Sequence, residues 1–340
     1  MVHPLPAAEG LDGVLPEEEE GADEALADAP ERRESILDGS FHAQRLDKAV
    51  VAIAGEFSRN HLQNLIEQGH VQVDGKVVTA PSRKVQAGQR LTVDMVPTPE
   101  SRAFRPEAMS LRPVFEDAHL MVIDKPAGLV VHPAAGHWSG TLLNGVLAHH
   151  PAAAALPRAG IVHRLDKDTS GLMVIGKTPQ AVTSLVRAIG LREVHREYIA
   201  LVNGRLSGGV FRIDAAIGRD PQSRVRMAVL SQGKPAQTDV TPLACATAPG
   251  GALVTAVRCK LHTGRTHQIR VHLAHEGHPL VSDPLYGGRP AFGLSRQALH
   301  AERLGLTHPA SGEWLWFQAG PPADLAAAWT QVLEDRDTGG

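Results

Sequence analysis

The chain has 340 residues, of which 43% are hydrophobic, so it is long enough to form two domains with a substantial core. No apolar run approaches the ~18 residues needed to span a bilayer, and the acidic N-terminus lacks the basic-then-apolar pattern of a signal peptide, so we expect a cytoplasmic protein. The two cysteines, Cys245 and Cys259, lack C-x-x-C spacing, which argues against a zinc ribbon or a disulfide framework.

Charge is distributed unevenly along the chain. Residues 1–40 hold twelve acidic residues and two arginines, a net charge of −10, and since the whole chain carries −3, residues 41–340 carry +7. The first segment also lacks aromatic residues and hydrophobic periodicity, which predicts a disordered acidic tail over residues 1–40. The basic remainder suits a polyanionic partner, although many enzymes with neutral substrates share that balance.

Residues 41–96 predict a small domain made of a helix and a hairpin. Leu62, Leu65 and Ile66 recur at helical spacing, with Ser58 as a candidate N-cap and Gly69 as the residue that ends the helix. Two short alternating runs then surround Asp-Gly, the strongest short-range signal for a β-hairpin.

The stretch from residue 58 to residue 76, Ser-Arg-Asn-His-Leu-Gln-Asn-Leu-Ile-Glu-Gln-Gly-His-Val-Gln-Val-Asp-Gly-Lys, resembles the S4 RNA-binding domain. That resemblance implies RNA contacts from the basic residues around the helix and the hairpin. The candidates are Arg45, Lys48, Arg59, Lys76, Arg83 and Lys84. A structural module with a solvated basic face is the alternative. Residues 97–113 contain four prolines and predict a semi-stiff linker with no core of its own.

A second domain is predicted over residues 114–335, and its most informative stretch is residues 161–175. An apolar pair leads into His-Arg-Leu-Asp, a polar turn follows, and an apolar run closes the stretch. Polar side chains on a short turn between buried runs are costly to desolvate, so a chain normally carries them where a site needs them. Asp166 is therefore a candidate nucleophile or acid–base group, and Arg164 a candidate cation.

Strands outnumber helices in this second domain, and hairpins connect most of them. The pattern predicts an α+β domain on a mixed, mostly antiparallel central sheet. A second polar cluster, residues 261–272, runs into a helix that ends near Gly277, and Asp283-Pro-Leu-Tyr-Gly-Gly follows.

Three other functions are weaker alternatives. Residues 171–178 satisfy the phosphate-loop expression G-x-x-x-x-G-K-[ST], but the four intervening residues are Leu, Met, Val and Ile, which indicate a strand interior rather than a flexible loop. His272, His275, Glu276 and His278 lie close together without forming H-E-x-x-H, so structural hydrogen bonds are favoured over a metal site. Asp166 and Asp168 do not suggest a two-carboxylate glycosidase, because residues two apart in a turn seldom converge on one bond.

Several motifs in order together resemble the RluA-type pseudouridine synthase family, above all its RluD-like members that act on large-subunit ribosomal RNA. The motifs are Lys-Pro-x-Gly-x-x-x-His-Pro at 125–133, His-Arg-Leu-Asp at 163–166, Arg-Glu-Tyr at 196–198, Gly-Lys-Pro-Ala-Gln-Thr at 233–238 and Thr-Gly-Arg-Thr-His-Gln-Ile-Arg at 263–270. The resemblance covers roughly residues 43–320. It implies the pseudouridine synthase fold, an RNA substrate, and no metal or cofactor. One departure is Ser282, where relatives usually have Gly before Asp-Pro.

The resemblance implies roles residue by residue. Asp166 matches the catalytic aspartate, Arg164 the arginine that helps displace the target base, and Arg270 the partner of the catalytic carboxylate. Tyr198 matches the tyrosine that stacks on the flipped base and is a candidate for proton removal. Further RNA-binding candidates in this domain are Lys125, His163, Arg265 and His267.

The chemistry agrees with these residue types. Uridine becomes pseudouridine when the N1–C1′ bond breaks, uracil rotates and C5 bonds to C1′, after the base has left the stack. An ionised carboxylate must act on the sugar or base, which an arginine neighbour favours, and Tyr198 offers a stacking face. We expect a monomeric RNA pseudouridine synthase that modifies large-subunit ribosomal RNA, with a precursor ribosomal particle as a further candidate partner. Alternatives are a synthase acting on transfer RNA and a non-catalytic S4-type ribosome-assembly factor.

Overall fold

The computed structural model describes residues 31–57, 59–96, 103–134, 136–223 and 225–335. The chain forms two compact units that divide between Thr98 and Pro99. Residues 1–30 of the expected acidic tail, Ser58 and residues 97–102 of the expected linker lie outside the described residues. No helix in the described ranges is long and apolar enough to cross a membrane.

The N-terminal unit packs two helices on a four-stranded antiparallel sheet of order β1-β4-β2-β3. The elements are β1 Glu31–Ile36, α1 Leu46–Ile53, α2 Arg59–Glu67, β2 Val71–Val73, β3 Lys76–Val77 and β4 Arg90–Met95. Leu62, Leu65 and Ile66 of α2 are buried in the core of this unit. The helix at this spacing is therefore confirmed.

The turn that joins β2 to β3 is the predicted hairpin. Asp74 and Gly75 both have positive φ, 52° and 73°, as a two-residue type I′ turn requires. Gly69 also has a positive φ, 85°, and His70 N–H donates to Leu65 O across the end of α2. Both predictions from local sequence are confirmed.

The expected tail boundary at residue 40 is wrong, because Glu31–Ile36 form a strand. This strand pairs with β4 over its whole length, and Arg32 Nε donates to Asp94 Oδ1 at 2.7 Å. It lies at the sheet edge, so backbone hydrogen bonds hold charged and largely exposed residues. Such a strand has no hydrophobic alternation by which the sequence could reveal it.

The expected linker is also wrong for residues 103–113, which pack on the C-terminal unit. Ala103 is buried, and the Asn144 side chain donates to Arg105 O at 2.8 Å. Glu107 N–H donates to Asn144 O, and the Met109 side chain lies against Gly145, where a Cβ would come within 2.5 Å of it. Scattered prolines are typical of an extended chain, and such a chain can pack on a domain as well as connect two.

The C-terminal unit is an α+β domain around a nine-stranded mixed sheet, as predicted. The order is β5-β6-β7-β14-β8-β13-β12-β9, with β15 paired to β14, and only β7 and β14 are parallel. The strands of the unit are β5 Pro113–Glu116, β6 Leu120–Lys125, β7 Ser170–Gly176, β8 His195–Asn203, β9 Phe211–Asp214, β10 Ile217–Arg219, β11 Met227–Val229, β12 Gln237–Thr247, β13 Leu253–Leu261, β14 Leu299–Thr307 and β15 Trp314–Gln318. Strands β10 and β11 form a separate pair.

Four helices cover the two faces of the sheet. They are α3 Leu142–His149, α4 Pro179–Gly190, α5 Gln268–His275 and α6 Ala323–Glu334. Residues of α3 and α5 join the largest core cluster, with Tyr198, Ala200 and Val202 of β8. Residues of α4 and α6 contribute to two further clusters. The face of β8 that carries Tyr198 is therefore the face on which α5 is placed.

The phosphate-loop expression falls in β7, where all seven residues are buried. The strand pairs with β6 on one side and β14 on the other. At Gly171 a Cβ would lie 2.3 Å from Ala301 O, so the glycine serves the close approach of two strands. The prediction of a strand interior is confirmed.

Candidate active site

Asp166 lies on the short loop that enters β7. Leu165 anchors the loop in the main core, and Thr169 N–H donates to Asp166 O across the turn at Lys167 and Asp168. The loop therefore presents the Asp166 carboxylate, 16% exposed, while Thr169 beyond the turn is buried. The prediction that Asp168 is a turn residue is confirmed.

Arg270 joins Asp166 to a second carboxylate that the sequence did not single out. Arg270 Nη1 donates to Asp166 Oδ2 at 2.9 Å, although 104 positions separate the two residues. Its Nε and Nη2 donate to both oxygens of Asp283 at 2.7 and 2.9 Å, and Asp283 is fully buried. Burial opposes the charge of Arg270, but the Asp283 hydrogen bond and both carboxylate charges raise its pKa. Asp283 thus fixes the guanidinium so that its free edge faces Asp166.

Lys125 holds the Asp166 loop through backbone hydrogen bonds. The prediction that it contacts RNA is wrong. The side chain is fully buried, and Nζ donates to Pro126 O, Leu129 O and Lys167 O at 2.8, 2.9 and 3.0 Å. Burial lowers the pKa of Lys125 to about 8. All three N–H groups are used to join two segments of backbone, one of which is the Asp166 loop.

Replacing Lys125 by Met should lower the free energy of unfolding by about 3 kcal/mol, because three carbonyls lose their shared buried donor. Urea unfolding followed by fluorescence measures the change. The matched control is Lys167→Met, since Lys167 is exposed on the same loop and its replacement should cost less than about 0.5 kcal/mol. Equal stability of the two variants would contradict the supporting role of Lys125.

His267 approaches Asp166 from the start of α5. Its Nε2 lies 3.8 Å from Asp166 Oδ1, and its Nδ1 lies 2.8 Å from Tyr286 Oη. Met227 N–H donates to the same phenol oxygen, and burial lowers the pKa of His267. His267, expected to bind RNA, lies beside the carboxylate.

Two residues of β8 face the same space. Tyr198 is only 6% exposed, and burial raises its pKa. Arg196, two positions earlier on the same face, is also 6% exposed, and its Nε has no hydrogen-bond partner. Tyr198 was predicted as a site residue and Arg196 was not, although the i, i+2 spacing on a strand places both on one face.

The remaining candidates of this unit differ in exposure. His163 is half-buried, and its Nε2 accepts the N–H of Val174 at 3.0 Å. Burial and the charge of Arg196 lower the pKa of His163 to about 3, so the ring is neutral and offers no cation to RNA. Arg164 and Arg265 are exposed, and Arg265 Nε donates to Pro235 O.

A cavity of about 550 Å³ brings these residues together. Tyr198, His163 and His267 line it. Charged residues in its lining are Arg158, Arg164, Arg196, Arg265, Arg270 and Asp166. Only one carboxylate offsets five arginines, so the lining favours an anionic ligand. The site can hold a flat ring beside Tyr198 and place it near the Asp166 carboxylate.

Two histidines near the end of α5 make structural hydrogen bonds. His272 is buried, with Thr238 Oγ1 at 2.9 Å from Nδ1 and Ala215 O at 2.9 Å from Nε2, and His278 Nδ1 lies 3.0 Å from Asn203 O. Among the described residues, no group of three or more His, Cys, Asp and Glu side chains could hold a metal ion.

Ser282, the expected departure from the motif, has a φ of 58°. That is the left-handed region, which glycine adopts without strain. Its hydroxyl donates to Leu294 O at 2.7 Å, so a local hydrogen bond accompanies the unusual backbone.

The basic residues predicted on the N-terminal unit are all exposed. Arg45 and Lys84 form a backbone bridge, and Leu46 N–H donates to Arg83 O, so three of the six cations lie together beside the start of α1. The exposed set is Arg45, Lys48, Arg59, Lys76, Arg83 and Lys84.

Two family models match the chain. The model described as RNA pseudouridylate synthase matches residues 119–275, a range that includes Asp166, Tyr198 and Arg270. The S4 domain model matches residues 44–91. The two matches fall in the two compact units.

Curated relatives extend the similarity over most of the chain. The ribosomal large subunit pseudouridine synthase D of Nitrosomonas europaea is 48% identical over 292 residues, which cover 83% of each chain. The protein of that name from Escherichia coli is 44% identical over 295 residues, 83% of this chain and 88% of the relative. Among solved structures, human RNA pseudouridylate synthase domain containing 1 is 30% identical, with a TM-score of 0.51, over 65% of this chain and 88% of that one.

Proposed function

Because the chain belongs to the RNA pseudouridylate synthase family, we propose that it isomerises specific uridines of large-subunit ribosomal RNA to pseudouridine, with Asp166 as the catalytic residue. The observation that carries the proposal is the Asp166 carboxylate at the cavity, held by Arg270 at 2.9 Å. The names of the relatives support the choice of ribosomal RNA.

In this proposal each residue around the cavity has a separate role in the reaction. Arg164, exposed at the cavity, takes the place of the displaced base in the RNA stack. Tyr198 stacks against the flipped uracil while the ring turns. Asp166 attacks the sugar or the base, or removes a sugar proton; each route requires an ionised carboxylate. The isomerisation needs no net oxidation, reduction or added group.

The N-terminal unit is proposed to bind RNA through its exposed cations, as the S4 match suggests. Replacing Arg83 and Lys84 together by Gln should weaken binding to structured ribosomal RNA. The slope of log affinity against log salt should become shallower by about 1–2, because the variant neutralises fewer phosphates and therefore releases fewer counterions on binding. Filter binding at several salt concentrations measures both quantities.

The control for that experiment is the pair Arg32→Gln and Arg90→Gln, which removes the same charge from the same unit. These two arginines already interact with carboxylates, those of Asp94 and Glu34, on the sheet. If both double variants change the salt slope equally, the surface near Arg83 and Lys84 is not where RNA binds.

Chemical mapping of pseudouridine in total RNA, from cells with and without this gene, tests the function directly. A few large-subunit positions should lose pseudouridine in the deletion strain and regain it when the gene returns. Loss of transfer-RNA sites instead would identify the alternative substrate. An unchanged map in every RNA would favour the alternative of a non-catalytic assembly factor.

The proposal also includes a cytoplasmic monomer that acts on naked RNA or on a precursor of the large subunit. Sedimentation of the purified protein tests the oligomeric state. Comparison of modification on free ribosomal RNA and on assembled particles tests the form of the substrate.

A further inference from the structure

Arg196 is a buried arginine without a role in the proposed reaction. It is 6% exposed and lines the cavity, and its Nε has no hydrogen-bond partner. Arg258 and Arg303 also have an unpartnered Nε, but their guanidinium groups lie within 3.0 and 3.2 Å of Glu302 and Glu197. Within the described ranges, no carboxylate forms a salt bridge with Arg196.

The fold makes room for this side chain. A Cβ at position 264 would lie 2.8 Å from Arg196 Nη1, so Gly264 allows the guanidinium to lie against the backbone that leads to α5. Burial lowers the pKa of Arg196, as expected for a buried cation without a partner. A buried, unpaired cation on the wall of a cavity is suited to an anionic ligand atom.

The position of Arg196 places it near the base of a bound nucleotide and away from the RNA backbone. Arg196 and Tyr198 point from the same face of β8 into the cavity, and both are buried. Arg164 and Arg265, in contrast, are exposed and therefore better placed for the RNA backbone outside. The group that meets Arg196 should then belong to the ring that stacks on Tyr198.

We propose that Arg196 donates hydrogen bonds to a carbonyl oxygen of the target uracil and stabilises the negative charge that the base acquires when it detaches. This inference rests on the proposed function. When the N1–C1′ bond breaks, its electron pair remains on the base, and the charge spreads from N1 to O2 and O4. After rotation the C5–C1′ bond forms, C5 loses its proton and N1 gains one, so atoms and electrons balance.

The gain comes from the difference between the two states of the base. A neutral uracil carbonyl is a moderate acceptor, whereas the oxygen of the detached anion is a strong one, so a buried guanidinium stabilises the anion more than the neutral base. Arg196 therefore contributes more in the bond-breaking step than in binding, and its removal should lower the rate more than the affinity.

The test compares wild type with Arg196→Gln and Arg196→Lys. The substrate is a synthetic ribosomal stem-loop that carries the mapped uridine. We expect Arg196→Gln to lower the single-turnover rate constant by about 10²-fold or more and to change the Kd for RNA less than about 3-fold. Arg196→Lys keeps the charge and should recover part of the rate. The matched control is Arg258→Gln, on the opposite face of the same sheet, which should keep the wild-type rate.

Modified RNAs identify the atom that Arg196 meets. Replacing O2 or O4 of the target uracil by sulfur, a weaker acceptor, should slow wild type at one of the two positions and leave the rate of Arg196→Gln unchanged. An RNA with an abasic target nucleotide keeps the phosphate, and both proteins should bind it equally. Nuclease digestion and chromatography measure the product.

Several results would overturn the inference. A wild-type rate in Arg196→Gln excludes the role, and equal sulfur effects in both proteins exclude the carbonyl contact. Weaker binding of the abasic RNA by Arg196→Gln would assign Arg196 to a phosphate instead. If Arg196→Gln fails to fold, Arg196→Met, which keeps the apolar stem of the side chain without the donors, replaces it in the same comparisons. Failure of wild type on every RNA refutes the proposed function and not this inference alone.

Discussion

Asp166→Asn should lower the rate of pseudouridine formation by at least about 10³-fold while it changes the affinity for RNA less than about 3-fold. Asn has nearly the shape of Asp, and its carbonyl oxygen can still accept from Arg270 Nη1, which donates to Asp166 Oδ2 at 2.9 Å in the native protein. The substitution thus removes the negative charge with little change in packing. A reaction that needs an ionised carboxylate fails, and the binding surfaces remain.

Asp168→Asn is the matched control, because Asp168 carries the same charge two positions later in the turn that follows Asp166. It should keep a rate within about 5-fold of wild type. Single-turnover assays on the mapped stem-loop and filter binding on the same RNA supply the two measurements. Unchanged modification by Asp166→Asn would exclude this aspartate as the catalytic residue.

Asp283→Asn should lower the free energy of unfolding by about 3 kcal/mol and the rate by at least about 10²-fold. Asp283 is fully buried and accepts both Nε and Nη2 of Arg270. Asn carries no charge and can satisfy only one of these donors as an acceptor. The guanidinium then lies buried with one carboxylate instead of two, and it can rotate away from Asp166.

The control for Asp283 is Asp324→Asn. Asp324 also pairs with an arginine, at 2.7 Å from Arg296 Nε, but its side chain is 46% exposed. Water compensates for the loss of an exposed pair, so the stability should change by less than about 1 kcal/mol. Urea unfolding of the two variants gives the comparison. Equal unfolding midpoints would show that the buried pair stabilises the fold no more than the exposed pair does.

Local signals in the sequence predicted several secondary-structure elements correctly. The spacing of Leu62, Leu65 and Ile66 predicted α2, and Asp74-Gly75 predicted the hairpin, because each depends on neighbours within a few positions. Four consecutive apolar residues between Gly171 and Gly176 excluded a phosphate loop for the same reason. The ordered motifs also identified Asp166, Tyr198 and Arg270 as one site, through resemblance to a family.

Only the tertiary structure decided what partners the polar residues have. A lysine in the sequence is normally expected at the surface, yet Lys125 is fully buried and donates to the backbone of the Asp166 loop. Asp283 has a buried arginine partner, whereas Nε of Arg196 has none. No local sequence pattern distinguishes these two situations.

The same limit applies to the backbone of the segments that the sequence assigned to a tail and a linker. Residues 31–36 become an edge strand by pairing with β4, about sixty positions later, and Ala103 is buried in the C-terminal unit. Composition and periodicity report on neighbours along the chain. Burial, ion pairing and edge-strand pairing depend on residues that only the folded chain brings together. The sequence therefore determined the elements that local patterns specify and the candidate chemistry, and the fold determined the edge strand and which charges meet.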